Sequence, residues 1–419
     1  MKKTIASMLL CTAMCLTACS NDTKESIDTL VPSEDIEDME DNIVMSTLRT
    51  DGTNLDKSID ITDMIYEDTQ MNTMFSPTSL NFALGLLSEG AGDGTPSKKA
   101  LTSYLGNNFS EKASTYINES INEFNNKGNK NGYNTALEIA NSVWVSNEYE
   151  LAKTYKQSIT DKYQAKVDSI DISKPDKSAD KINDWCSDKT HKLINKIISP
   201  DKINSDTTAI LVNSVYFESP WYDEWYINPQ KETEIFNNID GTQSEVITIH
   251  NSDGTYFEND KARAFGMGYM NGIEFIGILP NQEGDFKLSD LDIPNLIKYN
   301  KEDTTAEVSM PELNFETTAN LTNILNNEEL QYIFKDSKDF VYMYKEEVET
   351  KVSSILQKTK LELDRYGTKA AAVTAITMET CMMQPIMNVE EIHLDRSFAF
   401  VIYDRQNEEV LFIGKVTSL

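Results

Sequence analysis

Two stretches of the chain carry apolar residues at the spacing of an amphipathic helix. The first covers residues 54–66, and the second begins at Ile182, passes through Trp185 and Cys186, and continues to Ile198. Each pattern places its apolar residues on one face, which a helix would bury against the rest of the protein. We therefore predict a helix at each position.

Ser76 and Pro77 mark the start of a third helix. A short strand precedes them, and a serine directly before a proline fits an N-cap followed by proline at the first helical position. The glycine-rich run 90–95 follows this helix and does not lead from a strand into one. It is therefore better explained as a C-cap and turn than as a phosphate-binding loop.

Strand patterns dominate the remainder of the chain. Runs of apolar and β-branched residues occur at 136–145, 207–217, 275–280, 308–311, 360–364 and 398–403. Helices concentrated early in the chain and strands later indicate an α+β fold and not a repeating βαβ fold.

The connection between the last two strand runs is far too long for a hairpin turn. Its first half, 367–378, lacks proline and holds one charged residue, Lys369. In an extended chain one face would carry Thr368, Ala370, Ala372, Thr374 and Ile376, while Lys369 would point the other way, towards solvent. We predict a segment that is exposed as a loop or inserted into a sheet as a strand.

The first residues have the features of a secretory signal. A basic start leads into an apolar run from Ile5 to Leu16, which is too short to span a membrane permanently. The sequence Leu16-Thr17-Ala18-Cys19 resembles a bacterial lipobox, in which the cysteine is lipidated and becomes the mature N-terminus. We predict a lipoprotein signal peptide at 1–18 and lipidation at Cys19, with a plain signal peptide as the alternative.

Residues 19–50 are polar and acidic, most densely at 34–41. Such a segment buries too little apolar surface to order itself, so we predict a lipidated flexible tether in the cell envelope, on the outer membrane, facing either the periplasm or the exterior. No linker or internal repeat interrupts the remainder, and 51–419 is predicted to be a single domain.

The net charge of −30, from 68 acidic and 38 basic residues, excludes nucleic acid as a partner and leaves the lipid anchor as the membrane contact. The chain has three histidines and contains no His-Glu-x-x-His, Cys-x-x-Cys or Gly-x-Ser-x-Gly sequence. We therefore predict no metal, no cofactor and no catalytic residues. Cys186, on the apolar side of its helix, is expected to be a buried and inert thiol.

Several short motifs, taken together and in order, resemble the serpin family from about Asn54 to the C-terminus. The motifs are Phe75-Ser76-Pro77-x-Ser79, Gly90-Ala91 with Thr95, Ala140-Asn141-Ser142-Val143-Trp144-Val145, Ile182-Asn183-x-Trp185 with Thr190, Leu211-Val212-Asn213-Ser214-Val215-Tyr216-Phe217 with Trp221, Pro311, Gly367-Thr368-x-Ala370-Ala371-Ala372, Asp395-Arg396-x-Phe398 and Phe412-Ile413-Gly414-Lys415-Val416.

This resemblance implies three β-sheets, about nine helices, a long exposed reactive-centre loop and a metastable native state. It also implies a monomeric suicide inhibitor of serine proteases, with cysteine proteases as the alternative target. In that mechanism the protease cuts the loop and forms an acyl-enzyme, the freed arm inserts into the main sheet, and the protease is trapped. The hinge of the arm would be Gly367, Thr368, Ala370, Ala371, Ala372 and Thr374.

The resemblance further assigns Ser76, Ser79, Asn213 and Trp221 to the region that controls opening of the sheet, although capping and core packing explain the same residues equally well. Three departures from the family bear on the rate of insertion. Arg365 and Tyr366 stand where acidic residues are usual, Gln357 stands where many members have histidine, and Ser397 replaces a common proline.

Fourteen residues past Gly367, the family spacing places the scissile bond between Cys381 and Met382. Counting back from Phe398 places it nearer Ile386. The forward count is preferred because the inserted arm must match a sheet of fixed length. Uncharged residues here favour elastase-like, chymotrypsin-like or subtilisin-like proteases. Cys381 could alternatively act as a redox-sensitive thiol.

Two other functions stay open from the sequence. One is a serpin-fold surface binding protein that does not inhibit proteases. The other is a tethered glycan-binding or hydrolytic lipoprotein, which lipidation and acidity alone would allow.

Overall fold

A computed structural model describes residues 53–130, 135–205, 207–326, 329–352, 355–368 and 387–419. The predicted signal peptide, Cys19 and the tether lie outside these ranges. So do Lys369, Ala370, Ala371, Ala372, Thr374, Cys381 and Met382. The described residues from Thr53 onwards belong to one compact unit.

The described residues contain nine α-helical segments, and two of them are single turns. They are α1 (Thr53–Thr69), α2 (Pro77–Gly90), α3 (Pro96–Leu105), α4 (Phe109–Thr115), α5 (Ile121–Lys130), α6 (Lys153–Tyr163), α7 (Pro175–Lys189), α8 (Ile293–Leu296) and α9 (Thr322–Leu325). A π-helical turn joins α4 directly to α5, which leaves about eight separate helices. The expectation of about nine is confirmed.

Fifteen strands are described: β1 (Thr73–Phe75), β2 (Ala136–Ser146), β3 (Lys166–Ile170), β4 (Ala209–Pro220), β5 (Thr233–Asn237), β6 (Gln243–Glu258), β7 (Ala262–Gly268), β8 (Ile273–Pro280), β9 (Thr304–Pro311), β10 (Leu313–Asn320), β11 (Leu356–Asp364), β12 (Gly367–Thr368), β13 (Asn388–His393), β14 (Phe398–Asp404) and β15 (Glu409–Val416).

Within the described ranges these strands form two β-sheets. A six-stranded sheet has the order β10-β11-β12-β4-β2-β3, and a nine-stranded sheet has the order β1-β15-β14-β8-β7-β6-β9-β13 with β5 paired to β6. The expected three sheets therefore appear as two hydrogen-bonded sheets in the described residues. In the nine-stranded sheet, the long strand β6 pairs with β5, β7 and β9. Its register with β9 shifts between Asn251 and Gly254.

The second predicted helix is corrected at its C-terminal end. It begins at Pro175 and ends at Lys189, whereas the apolar pattern had carried it on to Ile198. His191 and Lys192 take left-handed backbone conformations with φ of 49° and 66°, and a right-handed helix cannot continue through them. Beyond that turn, Ile194 and Ile198 still pack in the same apolar cluster as Trp185.

Two separate apolar clusters cover the two faces of the six-stranded sheet. The larger lies between the sheets and includes Val215 and Phe217 of β4. The smaller lies under α7 and includes Trp144 of β2 and Val212 of β4. Strand β4 therefore alternates between the two clusters, with odd-numbered residues towards the main core and even-numbered residues towards α7.

Candidate functional site: the junction of the two central strands

The six-stranded sheet is joined at its centre by a very short strand. β12 consists of Gly367 and Thr368, and it pairs antiparallel with β11 on one side and with β4 on the other. No other ladder connects β4 with β11 among the described residues. The first two residues of the predicted hinge therefore already lie between the two central strands.

Glycine is required at the first of these positions. Gly367 has φ of 142°, and a Cβ atom there would lie 2.2 Å from the backbone oxygen of Ser219 and 2.6 Å from the Cα of Pro220. Both atoms belong to the backbone of β4, so neither yields by a rotamer change. The close approach of the hinge to β4 depends on the missing side chain.

Thr368 is held from the core side by a buried tyrosine. Its hydroxyl is 2.6 Å from the hydroxyl of Tyr269, which follows β7 and is 2 % exposed. The ring of Tyr269 stacks on Trp221 with centroids 4.2 Å apart and planes 9° apart. Burial raises the pKa of Tyr269, so its hydroxyl stays protonated and the contact is a neutral hydrogen bond.

Trp221 fixes the turn that leads into the hinge. Its indole Nε1 donates to the carbonyl of Asp364 at 2.9 Å, and its backbone N–H donates to the carbonyl of Tyr366 at 3.1 Å. Next to these contacts, the Arg365 guanidinium lies 4.7 Å from the Tyr366 ring and donates to its hydroxyl at 2.7 Å. A cation and a phenol therefore lie at the end of β11, at the two positions noted above as departures.

A polar network crosses β4 and β2 at a position further along the sheet from β12. The Ser79 hydroxyl of α2 donates to the Asn213 side-chain oxygen, and the Asn213 amide donates to Asn141 of β2 at 2.6 Å. Asn141 in turn donates to the carbonyl of Tyr163 at the end of α6, at 2.9 Å. All three side chains are buried, so these hydrogen bonds replace contacts with water.

Gln357 of β11 holds the backbone of Ser76 in both directions. The Ser76 N–H donates to Gln357 Oε1 at 2.8 Å, and Gln357 Nε2 donates to the Ser76 carbonyl at 2.9 Å. Ser76 also caps α2 by accepting the Ser79 N–H at 3.3 Å. The capping explanation for Ser76 is therefore confirmed, and the same residue ties the helix to the strand that flanks the junction.

A cavity of about 70 Å³ lies beside this network. Its lining includes Leu211 and Asn213 from β4 together with Ile355 and Gln357 at the start of β11. The cavity therefore lies between the two central strands at the end opposite to β12.

The structure thus places Ser76, Ser79 and Asn213 in one network and Trp221 with Gly367 and Thr368 in another. Their role in sheet opening stays a prediction, because the contacts by themselves describe one state. Sequence reasoning missed Tyr269, since it lies in a short connection after β7 that carries no local pattern. Sequence reasoning named Gln357 only as a departure from the family, although the Gln357 side-chain amide makes two hydrogen bonds with the backbone of Ser76.

The chemistry of the remaining residues is limited. No group of three or more histidine, cysteine or acidic side chains in the described ranges is arranged to hold a metal ion. Cys186 is fully buried, and burial raises the pKa of its thiol to about 11, so the reactive thiolate is scarce near neutral pH. The expectation of an unreactive thiol agrees with this environment. Among the described helices, none is long and apolar enough to cross a membrane.

A family model for the serpins, the serine protease inhibitors, matches residues 52–419. The chain belongs to the serpin family. Members of this family are generally protease inhibitors and not catalytic enzymes, and they generally bind their target proteases.

Related proteins are distant in sequence but similar over most of their length. An uncharacterised serpin-like protein of Methanosarcina acetivorans is 28 % identical over 359 residues, covering 82 % of this chain and 81 % of its own. Human serpin B4 is 27 % identical, covering 86 % of this chain and 96 % of its own. The crystal structure of the thermophilic serpin tengpin in its native state superposes with a TM-score of 0.73 at 27 % identity, covering 89 % of this chain and 96 % of that one.

Proposed function

We propose that this serpin inhibits a protease by inserting its cleaved loop between β4 and β11. The observation that carries the proposal is the strand β12, which pairs the start of the arm with both central strands. Insertion then only extends the pairing that β12 already makes with β4 and β11, and no new strand pairing has to form. A protease bound through an acyl bond to the far end of the arm would be carried along the sheet.

Extending the ladder at constant register gives each arm residue defined neighbours. Because Thr368 pairs with Ser219 and Leu363, residue 374 comes opposite Asn213 and Gln357. Thr374, the polar residue expected on the inward face, then meets the two buried amides of the network. The small residue Ala370 comes opposite Phe217 and Leu361, and Ala372 comes opposite Val215 and Thr359.

The same register explains the cavity. Residue 376 comes opposite Leu211 and Ile355, both of which line it. Ile376 would therefore fill a space that the sheet already contains, next to the apolar side chains of Leu211 and Ile355. The polar residue Thr374 opposite two amides and the apolar residue Ile376 opposite Leu211 and Ile355 support insertion of this arm in this register.

The energy available is sufficient for trapping. An inserted arm forms roughly ten ladder hydrogen bonds, each worth about 1 kcal/mol net, so about 10 kcal/mol is released. That is comparable to the total stability of a typical domain, about 5–15 kcal/mol. It is enough to distort a protease attached to the arm.

The test uses the intact chain and proteases with elastase-like, chymotrypsin-like and subtilisin-like specificity. We expect an adduct that survives denaturing detergent, with mass spectrometry locating the cut between Cys381 and Met382. Loop cleavage should also raise the melting temperature strongly. Cleaved protein with neither an adduct nor a stability gain would overturn inhibition and favour a non-inhibitory binding protein.

Two adjacent substitutions provide a matched control. Ala372→Glu puts a charge on the inward face opposite Val215 and Thr359, whereas Ala371→Glu puts the same charge on the outward face opposite Tyr216 and Lys360. We expect the first to convert the inhibitor into a substrate and the second to keep forming adducts. Equal loss in both variants would contradict insertion in this register.

We also propose that the protein acts at the bacterial cell envelope, held by a lipid on Cys19 and the acidic segment 19–50. The lipobox-like sequence Leu16-Thr17-Ala18-Cys19 supports this location. Metabolic labelling with a fatty acid should label the wild type and leave Cys19→Ala unlabelled, and labelling of both would refute lipidation at this cysteine.

A further inference from the structure

Two exposed tyrosines alternate with two buried tryptophans in the run 221–226, whose sequence is Trp-Tyr-Asp-Glu-Trp-Tyr. Trp221 and Trp225 are 5 % and 3 % exposed, and their ring centroids are 5.3 Å apart. Tyr222 and Tyr226, the residues that follow them, are 49 % and 51 % exposed. Burial in the core accounts for both tryptophans, and it does not account for the tyrosines.

The backbone of this run is fixed along its length. The Tyr222 N–H donates to the carbonyl of Gly268 at 2.9 Å, and Tyr226 exchanges two backbone hydrogen bonds with His250, at 2.8 Å and 3.0 Å. Between these contacts, the Asn251 side chain donates to the carbonyl of Glu224 at 3.1 Å. The two tyrosines therefore stand on a rigid support, so a partner that binds them has little backbone to order.

The run adjoins both ends of the segment 369–386. At the first end, the Trp221 N–H donates to the carbonyl of Tyr366, just before β12. At the second end, Tyr226 begins a row of directly paired residues that reaches β13, the first strand after the segment. The other members of this row are His250, Ser309 and His393. The side chains of such a row share one face of the sheet.

The length of that segment brings a bound protease against the run. Eighteen residues separate Thr368 from Met387, and even a fully extended chain of this length keeps each of its points within about 30 Å of one end. A protease domain of about 230 residues is roughly 45 Å across. Its body therefore reaches the surface around the ends while its active site holds the segment.

The run also carries carboxylates that pair with no cation in the part of the chain that the structure describes. Asp223 is half-buried, and burial and then the charge of Asp253 raise the pKa of its carboxyl. Glu224 beside it is exposed. Lys231, which follows the run, is 3.2 Å from Glu234 and is thus already paired. The tyrosines are therefore accompanied by uncompensated negative charge.

We propose that this run forms a second contact surface for the target protease and binds arginine and lysine side chains beside the protease's active site. The surface consists of Tyr222, Asp223, Glu224 and Tyr226, and we call it the tyrosine surface. The inference rests on the proposed inhibitory function. Aromatic rings and carboxylates both bind cations, and within this chain an arginine already stacks on a tyrosine at the end of β11.

Tyrosine suits such a contact because its ring buries a large area at a small cost in conformational entropy. Charged groups around the rings attract a basic protease before it docks, which raises the rate of encounter. The tyrosine surface therefore selects proteases by the charge around their active site, whereas the loop selects them by the residues at the cut. A protease with a basic surface is the partner that fits.

The test uses the intact chain and two proteases of elastase-like specificity, one with a basic surface and one with an acidic surface. Tyr342→Ala is the matched control, because Tyr342 is 47 % exposed and precedes Met343, which lines the cavity at the opposite end of the sheet. The measurements are the bimolecular rate constant of adduct formation, its dependence on salt, and the melting temperatures before and after loop cleavage. The variants are Tyr222→Ala, Tyr226→Ala, Tyr222→Ala/Tyr226→Ala and Asp223→Asn/Glu224→Gln.

We expect the tyrosine double variant to form adducts with the basic protease about three- to tenfold more slowly than wild type, with the single variants in between. Asp223→Asn/Glu224→Gln should slow the same step and reduce its dependence on salt, because the lost contacts are between charges. The acidic protease should react equally fast with all variants. The tyrosine variants should keep the melting temperatures of wild type, since both side chains are exposed.

The outcomes separate this surface from loop insertion. If wild type forms adducts and the tyrosine and carboxylate variants react as fast, the contact surface is wrong and the inhibitory function stands. Equal slowing by Tyr342→Ala, or equal slowing with the acidic protease, likewise overturns it. A wild-type dimer that the tyrosine double variant loses would assign the surface to a second copy of this chain. If wild type forms no adduct with either protease, the inhibitory function fails, and this inference fails with it.

Discussion

The two sheets of this serpin differ most at their central strands. In the nine-stranded sheet, β8 and β14 pair directly, and every residue of both strands is buried. In the six-stranded sheet, β4 and β11 are joined through the two residues of β12, and β11 alternates between buried and half-buried positions. The first pair is continuous along both strands, whereas the second is joined by only two residues, at the place where we propose that the arm inserts.

The residues behind the two pairs differ in the same way. Phe275, Ile276, Phe400 and Val401 fill the core of the nine-stranded sheet. Asn213, Gln357 and Thr359 face the core from the six-stranded sheet, each with a hydrogen-bond partner outside its own strand. Apolar packing has no substitute once it is broken, but hydrogen bonds can be exchanged for others. The amides and hydroxyls that line the six-stranded sheet are therefore consistent with the proposed insertion of a strand.

The largest expected effect is in the nine-stranded sheet. Phe400 is fully buried, stacks on Phe275 at 5.7 Å and meets the edge of Phe315 at 6.4 Å. Phe400→Ala should lower the free energy of unfolding by about 3–5 kcal/mol in both the intact and the cleaved forms. Urea denaturation measures it. Val389→Ala on the exposed edge strand β13 is the control, and a similar loss in both variants would erase the contrast between core and edge.

A smaller effect is expected from the polar network. Asn213→Ala removes the partner of both Ser79 and Asn141 and leaves buried groups unpaired, which costs about 1–3 kcal/mol. Adding Ser79→Ala should cost less than the sum of the single changes, because both remove the same hydrogen bond. Additive losses in urea denaturation would show that the two side chains act independently.

The smallest effect depends on pH and again concerns the larger sheet. Burial lowers the pKa of His250, against the opposing influence of Glu234, and its ring stacks on Tyr226 at 5.5 Å. Because the unfolded chain takes up the proton first, near pH 6.5, stability is lost as the pH falls from that value through the lower folded pKa.

His250→Gln should therefore flatten the decline in the free energy of unfolding below pH 6.5 while leaving the pH dependence above pH 7 unchanged. Denaturant titrations at a series of pH values measure both ranges. A wild-type stability that rises on acidification over this range would contradict the assigned direction.

Local patterns predicted most of the elements that build these two regions. Ser76 and Pro77 start α2 as predicted, and the runs at 136–145 and 398–403 became β2 and β14 with small changes at their ends. Periodicity failed beyond Lys189, because apolar residues can pack in one cluster without being helical. Tyr269 and the amide of Gln357 were beyond such reasoning, since their partners are about 100 and 281 residues away in the chain.

The sequence by itself determined the serpin membership, the α+β class and the composition of the arm, with its small inward residues, Thr374 and the single charge of Lys369. Those properties depend on residue type and on the two-residue period of a strand, both of which can be read locally. Only the tertiary structure decided where the arm begins. Gly367 and Thr368 pair with β4 on one side and with β11 on the other, and this pairing sets the register of the junction. A register between strands distant in the chain is set by packing and hydrogen bonding across the whole fold, so no local pattern contains it.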